Sequence, residues 1–352
     1  MDLTPILKLA VEKRASDAFI KSGVPPALRV DGRVALTDFP VTSASDAQEL
    51  AYGIMNAEQI GRFERRHELD LAFTLGDLAR FRANIYQQRG SVGIVLRVVP
   101  LKMWSLEELG MPQVLNELAR QRQGLVLVTG PTGSGKSTTL AAMIDQINSE
   151  RRCNVVTIED PIEFLHEDNM AIVNQREIGI DTESFTDALK YVVRQSPDVI
   201  LIGEMRDVET MNVALAASET GHLVLSTIHT TSAPETLDRV INMFPPHDKP
   251  QICMRMATSL KGIVSQKLMP RADGNGRIAA VEIMIANPTV SKLIEEGRSG
   301  QLYAAMSEGG FWGMLTMNQC LVKYCKEGLI TEEEALANAG NLTELKQLMR
   351  RP

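Results

Sequence analysis

The sequence has few aromatic residues, few cysteines and no long apolar run. Aromatic side chains make up 5% of the 352 residues, so aliphatic residues and 17 methionines must fill most of the interior. No stretch approaches the roughly 18 consecutive apolar residues of a membrane-spanning helix, and charges interrupt the apolar residues near the N-terminus, which excludes a signal peptide. The chain also lacks low-complexity segments and repeats.

The four cysteines are Cys153, Cys253, Cys320 and Cys325, and no two of them form a C-x-x-C pair. This pattern is typical of scattered reduced thiols and argues against a zinc site or a disulfide framework.

The composition indicates a globular chain with hydrophobic cores. Hydrophobic residues account for 44% and charged residues for 23% of the sequence, which excludes a disordered chain. The 37 basic and 44 acidic residues give a net charge of −7, which argues against direct binding to nucleic acid. At about 150 residues per domain, the length predicts two or three domains.

Residues 1–100 are predicted to form an α+β domain. Apolar residues at helical spacing predict a helix over 2–14, and another is predicted over 45–66. Alternating patterns predict strands, with Asp31-Gly32 as the turn of a hairpin, at 27–30, 33–36, 70–74, 79–87 and 92–99. Residues 101–112 are predicted to be an interdomain linker.

The pattern changes in residues 113–270, where continuous apolar runs alternate with helical patterns. Such runs predict a parallel sheet covered on both faces, with strands at 125–129, 154–158, 199–202 and 223–227. Residues 271–352 are predicted to be mostly helical. The helices expected near the C-terminus span 248–266, 288–296, 299–307, 314–327, 331–338 and 342–351.

The strongest motif is the segment 130–137, which fits the phosphate-loop pattern G-x-x-x-x-G-K-[ST]. Its glycines allow backbone N–H groups to converge on a phosphate, and the following helix, predicted over 136–148, adds its N-terminal dipole. We expect Lys136 to reach the β- and γ-phosphates and Ser137 to bind Mg²⁺. The residues predicted to contact nucleotide are Gly130, Pro131, Thr132, Gly133, Ser134, Gly135, Lys136, Ser137 and Thr138.

Acidic residues follow two of the predicted strands. Glu159, Asp160 and Glu163 come after the strand 154–158, and Glu204 comes after 199–202. In parallel sheets the carboxyl ends of strands form the ligand-binding edge, where a carboxylate can orient water or hold Mg²⁺. The alternatives are a charged loop without a ligand and, for Glu204, a helix cap.

Two histidines and several arginines complete the candidates. His222 and His229 bracket the strand 223–227, and their odd spacing predicts opposite faces, which excludes a shared metal ion. One of them could sense a γ-phosphate; the alternative is a core histidine. The arginines at 80, 82, 89 and 97 either lie on a solvated sheet face or neutralise a phosphate across a subunit boundary.

Five motifs together resemble a known family. They are GPTGSGKST, TIEDPIEF, DVILIGEMRD, TGHLVLSTIHT and RFRANIYQQRGSVGIVLRVVP. Over essentially its whole length the chain resembles the secretion-type hexameric ATPases, and among them the retraction ATPases of type IV pili, the PilT/PilU group. The resemblance implies an α/β fold: a RecA-like P-loop ATPase domain with a mainly parallel sheet, preceded by a smaller PAS-like α+β domain and followed by a helical C-terminal region.

Departures from the family patterns refine this expectation. Extension-type relatives carry a tetracysteine zinc site and an additional N-terminal domain, and neither is present here, which favours retraction. The segment 288–296 keeps the apolar frame of the A-I-R-N-L-I-R-E helix and lacks both of its arginines. Together with the segments 23–26 and 267–274, this favours a PilU-like branch.

The resemblance implies roles for individual residues. Those implied to act in hydrolysis are Glu163 as general base, Glu204 as the Walker B acid near Mg²⁺, His229, and the first-domain arginines Arg82 and Arg97. Those implied to join the phosphate loop in binding nucleotide are Glu159, Asp160 and His222.

The resemblance also implies cofactors, partners and a location. The cofactors are ATP and Mg²⁺, and the assembly is a homo-hexamer. The partners are an inner-membrane pilus platform protein and a related retraction ATPase, with no direct contact to nucleic acid. The location is cytoplasmic, at the inner-membrane face of the pilus machine. The alternatives are a secretion or DNA-transfer ATPase of the same superfamily and a nucleotide-binding structural partner that does not hydrolyse ATP.

Overall fold

The computed structural model describes residues 2–30, 32–76, 78–99 and 103–350. The chain divides into two compact units, Met1–Lys102 and Met103–Pro352.

The first unit is α+β, as predicted. Its strands form an antiparallel sheet in the order β3-β2-β1-β6-β5-β4. The strands are β1 (Asp17–Lys21), β2 (Ala27–Val30), β3 (Arg33–Leu36), β4 (Glu68–Leu75), β5 (Ala79–Gln88) and β6 (Ser91–Val99). The helices are α1 (Leu3–Glu12), α2 (Ala44–Gly53) and α3 (Ala57–Arg66).

Two sequence predictions for this unit were wrong. The single helix expected over 45–66 is two helices, because Asn56 caps α3 in a reciprocal pair of hydrogen bonds with Gln59. Strand β1 was not predicted, since its residues do not alternate between buried and exposed positions. Of the predicted hairpin turn, Asp31 lies outside the described residues, and Gly32 has a φ of +78°.

The core of the first unit lies on one face of its sheet. Phe81 and Ile85 of β5 and Ile94 of β6 are fully buried there, together with Ile6 of α1 and Phe63 of α3. Because side chains alternate along a strand, residues an odd number of positions away from these lie on the opposite face. That alternation places Arg82 and Arg97 together on the face away from the core.

The second unit is built on a seven-stranded sheet in the order β13-β12-β7-β11-β10-β8-β9. All neighbours are parallel except β12 and β13, which are antiparallel. The mainly parallel sheet is therefore confirmed. The strands are β7 (Gly124–Thr129), β8 (Asn154–Glu159), β9 (Ile172–Glu177), β10 (Val199–Ile202), β11 (Leu223–Ile228), β12 (Leu260–Pro270) and β13 (Arg277–Ile285).

Helices cover both faces of this sheet, and each face has its own apolar core. Within the described ranges, no helix combines the length and the apolar character needed to cross a bilayer. The helices are α4 (Val114–Ala119), α5 (Lys136–Glu150), α6 (Phe185–Val192), α7 (Val208–Glu219), α8 (Ala233–Met243), α9 (Lys249–Ser259), α10 (Pro288–Glu295), α11 (Leu302–Glu308), α12 (Met317–Lys326), α13 (Glu332–Asn338) and α14 (Leu342–Met349).

The helical prediction for the C-terminal region needs correction at two points. The helix expected over 248–266 ends at Ser259, and β12 begins at the next residue. Strand β13 lies in the region 271–352, which was predicted to be mostly helical, between two of the predicted helices. Both strands are buried on both faces, so they show no alternation, and a short apolar run alone does not distinguish a buried strand from a buried helix.

Candidate active site

The phosphate-loop segment 130–135 connects the buried strand β7 to helix α5. Gly130 begins this loop with a φ of +146°. A Cβ atom at Gly130 would lie 2.3 Å from the carbonyl oxygen of Gln266 and 2.5 Å from Oγ of Ser134. Real Cβ atoms do not approach other atoms so closely, so this turn requires glycine.

Lys136 lies inside the curve of this loop. Its side chain is largely buried, and Nζ donates hydrogen bonds to the carbonyl oxygens of Gly130 (3.0 Å) and Pro131 (3.1 Å). Burial lowers the pKa of Lys136, and the nearby Glu204 acts in the opposite direction. The other residues that were predicted to contact nucleotide differ in solvent exposure: Ser137 is exposed, and Ser134 is buried.

Three residues from different elements are linked at the carboxyl edge of the sheet. His229, which follows β11, has Nδ1 3.5 Å from Nζ of Lys136 and Nε2 3.2 Å from Oε1 of Glu204. Glu204 follows β10, so it reaches the same edge. The predicted convergence of the phosphate loop, the Walker B strand and the second histidine is therefore present in the geometry.

Arg206 joins this group and was not assigned from the sequence. Its guanidinium lies 2.6 Å from Oε2 of Glu204. Burial of Glu204 acts to raise its pKa, but the hydrogen bond from Arg206 and the nearby positive charges outweigh it and hold the pKa of Glu204 below its usual value. The signal was available, because Arg206 stands two residues after Glu204 in the motif DVILIGEMRD.

Glu159 is the last residue of β8, and its surroundings differ from those of the acidic residues in the loop that follows. The carboxylate of Glu159 is buried; it accepts hydrogen bonds from Oγ1 of Thr157 (2.6 Å) and Nε2 of Gln175 (3.2 Å), and from the backbone N–H of Glu163 (3.5 Å). Burial raises the pKa of Glu159. Glu159 therefore supports the loop that carries Glu163, and the nucleotide contact that the resemblance implies for it stays a prediction. Asp160 is exposed.

Gln175 of β9 organises the same loop. Its Nε2 also donates to the carbonyl oxygen of Phe164 (2.8 Å), and its Oε1 accepts from the backbone N–H of His166 (2.9 Å). The side-chain amide of Gln175 thus forms hydrogen bonds with three residues on either side of Glu163 in the sequence: Glu159, Phe164 and His166. Sequence reasoning missed Gln175 because β9 is a partly exposed strand with polar residues, and its pattern did not predict a strand.

His166 should make the stability of the protein sensitive to mild acid. Burial lowers its pKa to about 4, from a usual value of 6.5, and its Nδ1 lies buried without a hydrogen-bond partner. Between pH 6.5 and pH 4 the unfolded chain therefore binds a proton at this histidine that the folded chain does not bind. The free energy of unfolding falls as the pH drops through this range. We expect a loss of about 2 kcal/mol between pH 7 and pH 5 from this residue.

The measurement is urea unfolding of the parent, His166→Phe and His247→Phe at pH 7 and pH 5. His166→Phe should remove this part of the pH dependence, while His247→Phe, which alters a mainly exposed histidine, should keep it. Equal slopes against pH in all three proteins would contradict the prediction.

His222 lies at the other end of strand β11. Its carbonyl oxygen accepts from the N–H of Gly124, which begins β7, whereas the phosphate loop follows the end of β7. Its Nδ1 lies 2.9 Å from the carbonyl oxygen of Ala217 and 3.2 Å from Oγ1 of Thr220. Six strand residues at about 3.3 Å each separate the two edges by some 20 Å. The structure therefore does not bring His222 to the phosphate loop of its own chain.

The candidate arginines lie in the first unit. Arg82 and Arg97 stand directly opposite each other in the pairing of β5 with β6. Asp17 is shared by Nε of Arg97 and Nε of Arg29, each 3.2 Å away, and the side chain of Arg97 remains 63% exposed. Arg80 is half-buried on the same strand as Arg82. Asp17 thus links Arg29 and Arg97 on this face of the sheet.

The chemistry of the side chains fits a magnesium ion held together with phosphates. Mg²⁺ is usually bound by one or two protein oxygens plus phosphate oxygens and waters, and Ser137 and Glu204 offer a hydroxyl and a carboxylate. In the part of the chain that the structure describes, no cluster of three or more His, Cys, Asp or Glu residues could bind a metal ion by itself.

Comparisons with known proteins agree with this arrangement. The family model described as "Type II/IV secretion system protein" matches residues 1–309. The chain is 45% identical to the type IV pilus retraction ATPase PilT of Pseudomonas aeruginosa, covering 96% of this chain and 98% of that one. It is 42% identical to the type IV pilus ATPase PilU of the same organism, covering 99% and 92%. A crystal structure of the pilus retraction motor PilT with bound ADP superimposes with a TM-score of 0.93 at 43% identity, over 99% of both chains.

Proposed function

Because the chain belongs to the type II/IV secretion system protein family and is one of its ATPases, we propose that it is a motor that powers retraction of type IV pili. The observation that carries the proposal is the linked group of Lys136, His229 and Glu204 beside the phosphate loop. The likeness to PilT and PilU over nearly whole chains supports the pilus as the machine on which it acts.

In the proposed reaction, a water molecule attacks the γ-phosphorus of ATP. The new P–O bond forms as the bond to the β-phosphate oxygen breaks, and ADP and phosphate leave. Glu163 accepts the proton of the water, and its loop is held for this task by Glu159 and Gln175. Lys136 and the loop N–H groups bind the phosphates and stabilise the charge that develops on them.

His229 and Glu204 form the second part of the proposed machinery. His229 contacts both Lys136 and Glu204, so it can couple the presence of a γ-phosphate at Lys136 to the position of Glu204. Ser137 and Glu204 would hold Mg²⁺, which neutralises phosphate charge when bound. Arg206 keeps the Glu204 carboxylate ionised and oriented.

The direct test of the ATPase proposal is turnover of the purified protein, with Glu204→Ala measured beside it. We expect phosphate release by the parent and nearly none by the variant. A parent with no turnover above Glu204→Ala would support a nucleotide-binding structural partner and overturn the motor proposal.

Assembly into a homo-hexameric ring is part of the proposal, because Arg82 and Arg97 are proposed to reach the nucleotide of a neighbouring subunit. Turnover per subunit should therefore rise with protein concentration until the ring forms. The measurement is specific activity over a dilution series, with the assembly state followed by light scattering. Arg82→Ala and Arg97→Ala should lower activity without dispersing the ring. Full activity in a monomer would contradict this prediction.

The pilus role predicts partners at the membrane. We propose a cytoplasmic motor that acts on an inner-membrane platform protein, in the PilU-like branch and together with a related retraction ATPase. The test is deletion of the gene and filming of labelled pili. Reduced retraction frequency or force supports the proposal. Unchanged retraction with a defect in protein secretion or DNA transfer would support the alternative machine.

A further inference from the structure

Gln266 is a buried polar residue beside the phosphate loop that no part of the proposed mechanism uses. It lies on β12, the strand next to β7, and is only 1% exposed. The parallel pairing of the two strands ends with Ser265 opposite Thr129. Gln266 is therefore the first residue beyond that pairing and comes beside Gly130, where the loop begins.

The side-chain amide of Gln266 spans the loop and the helix behind it. Its Nε2 donates a 2.6 Å hydrogen bond to the carbonyl oxygen of Ser134, and its Oε1 accepts a 3.0 Å hydrogen bond from Oγ1 of Thr139 on α5. Both ends of one buried amide are thus satisfied, one by the loop and one by the first turns of the helix.

The backbone of the loop is fitted to Gln266. A Cβ on Gly130 would lie 2.3 Å from the carbonyl oxygen of Gln266, and one on Gly135 would lie 3.0 Å from its Nε2. The loop therefore packs against the backbone of Gln266 at Gly130 and against its side chain at Gly135, so a change in that side chain acts on the loop at Gly135.

The hydrogen bond to Ser134 has a consequence for phosphate binding. A peptide group is planar, so the carbonyl of Ser134 and the N–H of Gly135 belong to one rigid plane. A donor that holds this carbonyl on one side also fixes the direction of the Gly135 N–H, one of the loop donors available to a phosphate. The bond to Thr139 fixes the same plane relative to α5, whose N-terminus favours the same anion.

We propose that Gln266 is a positioning residue that sets the affinity of the phosphate loop for nucleotide by fixing the peptide plane between Ser134 and Gly135. This inference rests on the proposed function only in requiring that the loop bind nucleotide; it does not require hydrolysis or a pilus.

The test is the dissociation constant for a fluorescent ADP analogue, measured on the full-length protein and its variants. Gln266→Leu removes the donor at similar volume, and we expect about tenfold weaker binding, the size expected for one net hydrogen bond. Gln266→Glu cannot donate to the carbonyl of Ser134 and adds a negative charge beside the phosphates, so we expect about 100-fold weaker binding. Ser265→Ala is the matched control. It removes a buried hydrogen bond from the neighbouring residue of β12 to Thr129 of β7, which lies outside the loop.

A further pair of measurements separates positioning from a general loss of stability. Thr139→Val removes only the hydroxyl that anchors Gln266, and we expect about threefold weaker binding. Combined with Gln266→Leu it should add nothing, because the two residues act through one amide. Thermal unfolding without nucleotide should be similar for Gln266→Leu and Ser265→Ala.

Several outcomes would overturn the proposal. Binding within twofold of the parent in Gln266→Leu would do so. Equal weakening by Ser265→Ala and Gln266→Leu would also do so. If Gln266→Leu does not fold, parental affinity in Thr139→Val would overturn the proposal instead. A parent that binds ADP but shows no turnover would contradict the motor proposal while leaving the role of Gln266 standing.

Discussion

Replacing Lys136 by alanine should lower ATP turnover at least about 100-fold, the scale on which loss of one aligned electrostatic donor acts. The ammonium of Lys136 lies inside the phosphate loop on the carbonyl oxygens of Gly130 and Pro131, already largely removed from water. Little reorganisation is then needed for it to meet phosphate oxygens, so most of its interaction energy is available to the transition state. Its loss also removes the ammonium group that lies 3.5 Å from Nδ1 of His229.

The measurement is steady-state phosphate release at saturating ATP, beside Lys267→Ala. Lys267 is a suitable control because its half-buried Nζ also donates to a backbone carbonyl oxygen, that of Asn338, away from the loop. We expect Lys267→Ala to keep most of the parental turnover. Comparable turnover in Lys136→Ala and Lys267→Ala would contradict the assignment of the loop as the nucleotide site.

Replacing Gly130 by alanine should destabilise the second unit by about 3 kcal/mol or more and abolish tight ADP binding. A φ of +146° is accessible essentially to glycine alone, and the added methyl would overlap the carbonyl oxygen of Gln266 and Oγ of Ser134. The carbonyl oxygen of Gln266 cannot yield easily, since it belongs to the backbone of a strand that is paired on both sides.

Urea unfolding without nucleotide measures this effect, and Gly133→Ala is the matched control. Gly133 also has a positive φ, +79°, but a Cβ there would meet nothing within 4 Å. It should therefore cost only the backbone strain, about 1 kcal/mol. Equal destabilisation by the two substitutions would show that the contact with Gln266 and Ser134 has no role.

The parts of the site that follow from local sequence were predictable. The glycines, lysine and serine of segment 130–137 occur in a fixed spacing after an apolar run, and that spacing alone predicts strand, loop and helix. Glu204 was found for the same reason, because a polar residue directly after four apolar ones marks the end of a buried strand. The α+β character of the first unit followed from its alternating strands.

The parts that depend on pairing between distant strands were not predictable. Gln266 is far from the loop in sequence, and Gln175 lies on a strand whose polar pattern gave no signal, yet each supplies hydrogen bonds that hold a functional loop. The nucleotide contact implied for His222 stays a prediction. His222 shares a motif with His229, but the two histidines bracket β11, so only His229 lies at the carboxyl edge with the phosphate loop.

The order of the strands has a consequence for where a bound phosphate lies in the site. Away from the phosphate loop after β7, the next strands in the sheet are β11, β10 and β8. They are followed in the chain by His229, by Glu204 and by the loop that carries Glu163, respectively. At about 4.8 Å per strand, β8 stands roughly 14 Å from β7. Because β11 is paired directly with β7, a phosphate bound in the loop lies nearer to His229 than to the ends of β10 and β8, which carry the carboxylates.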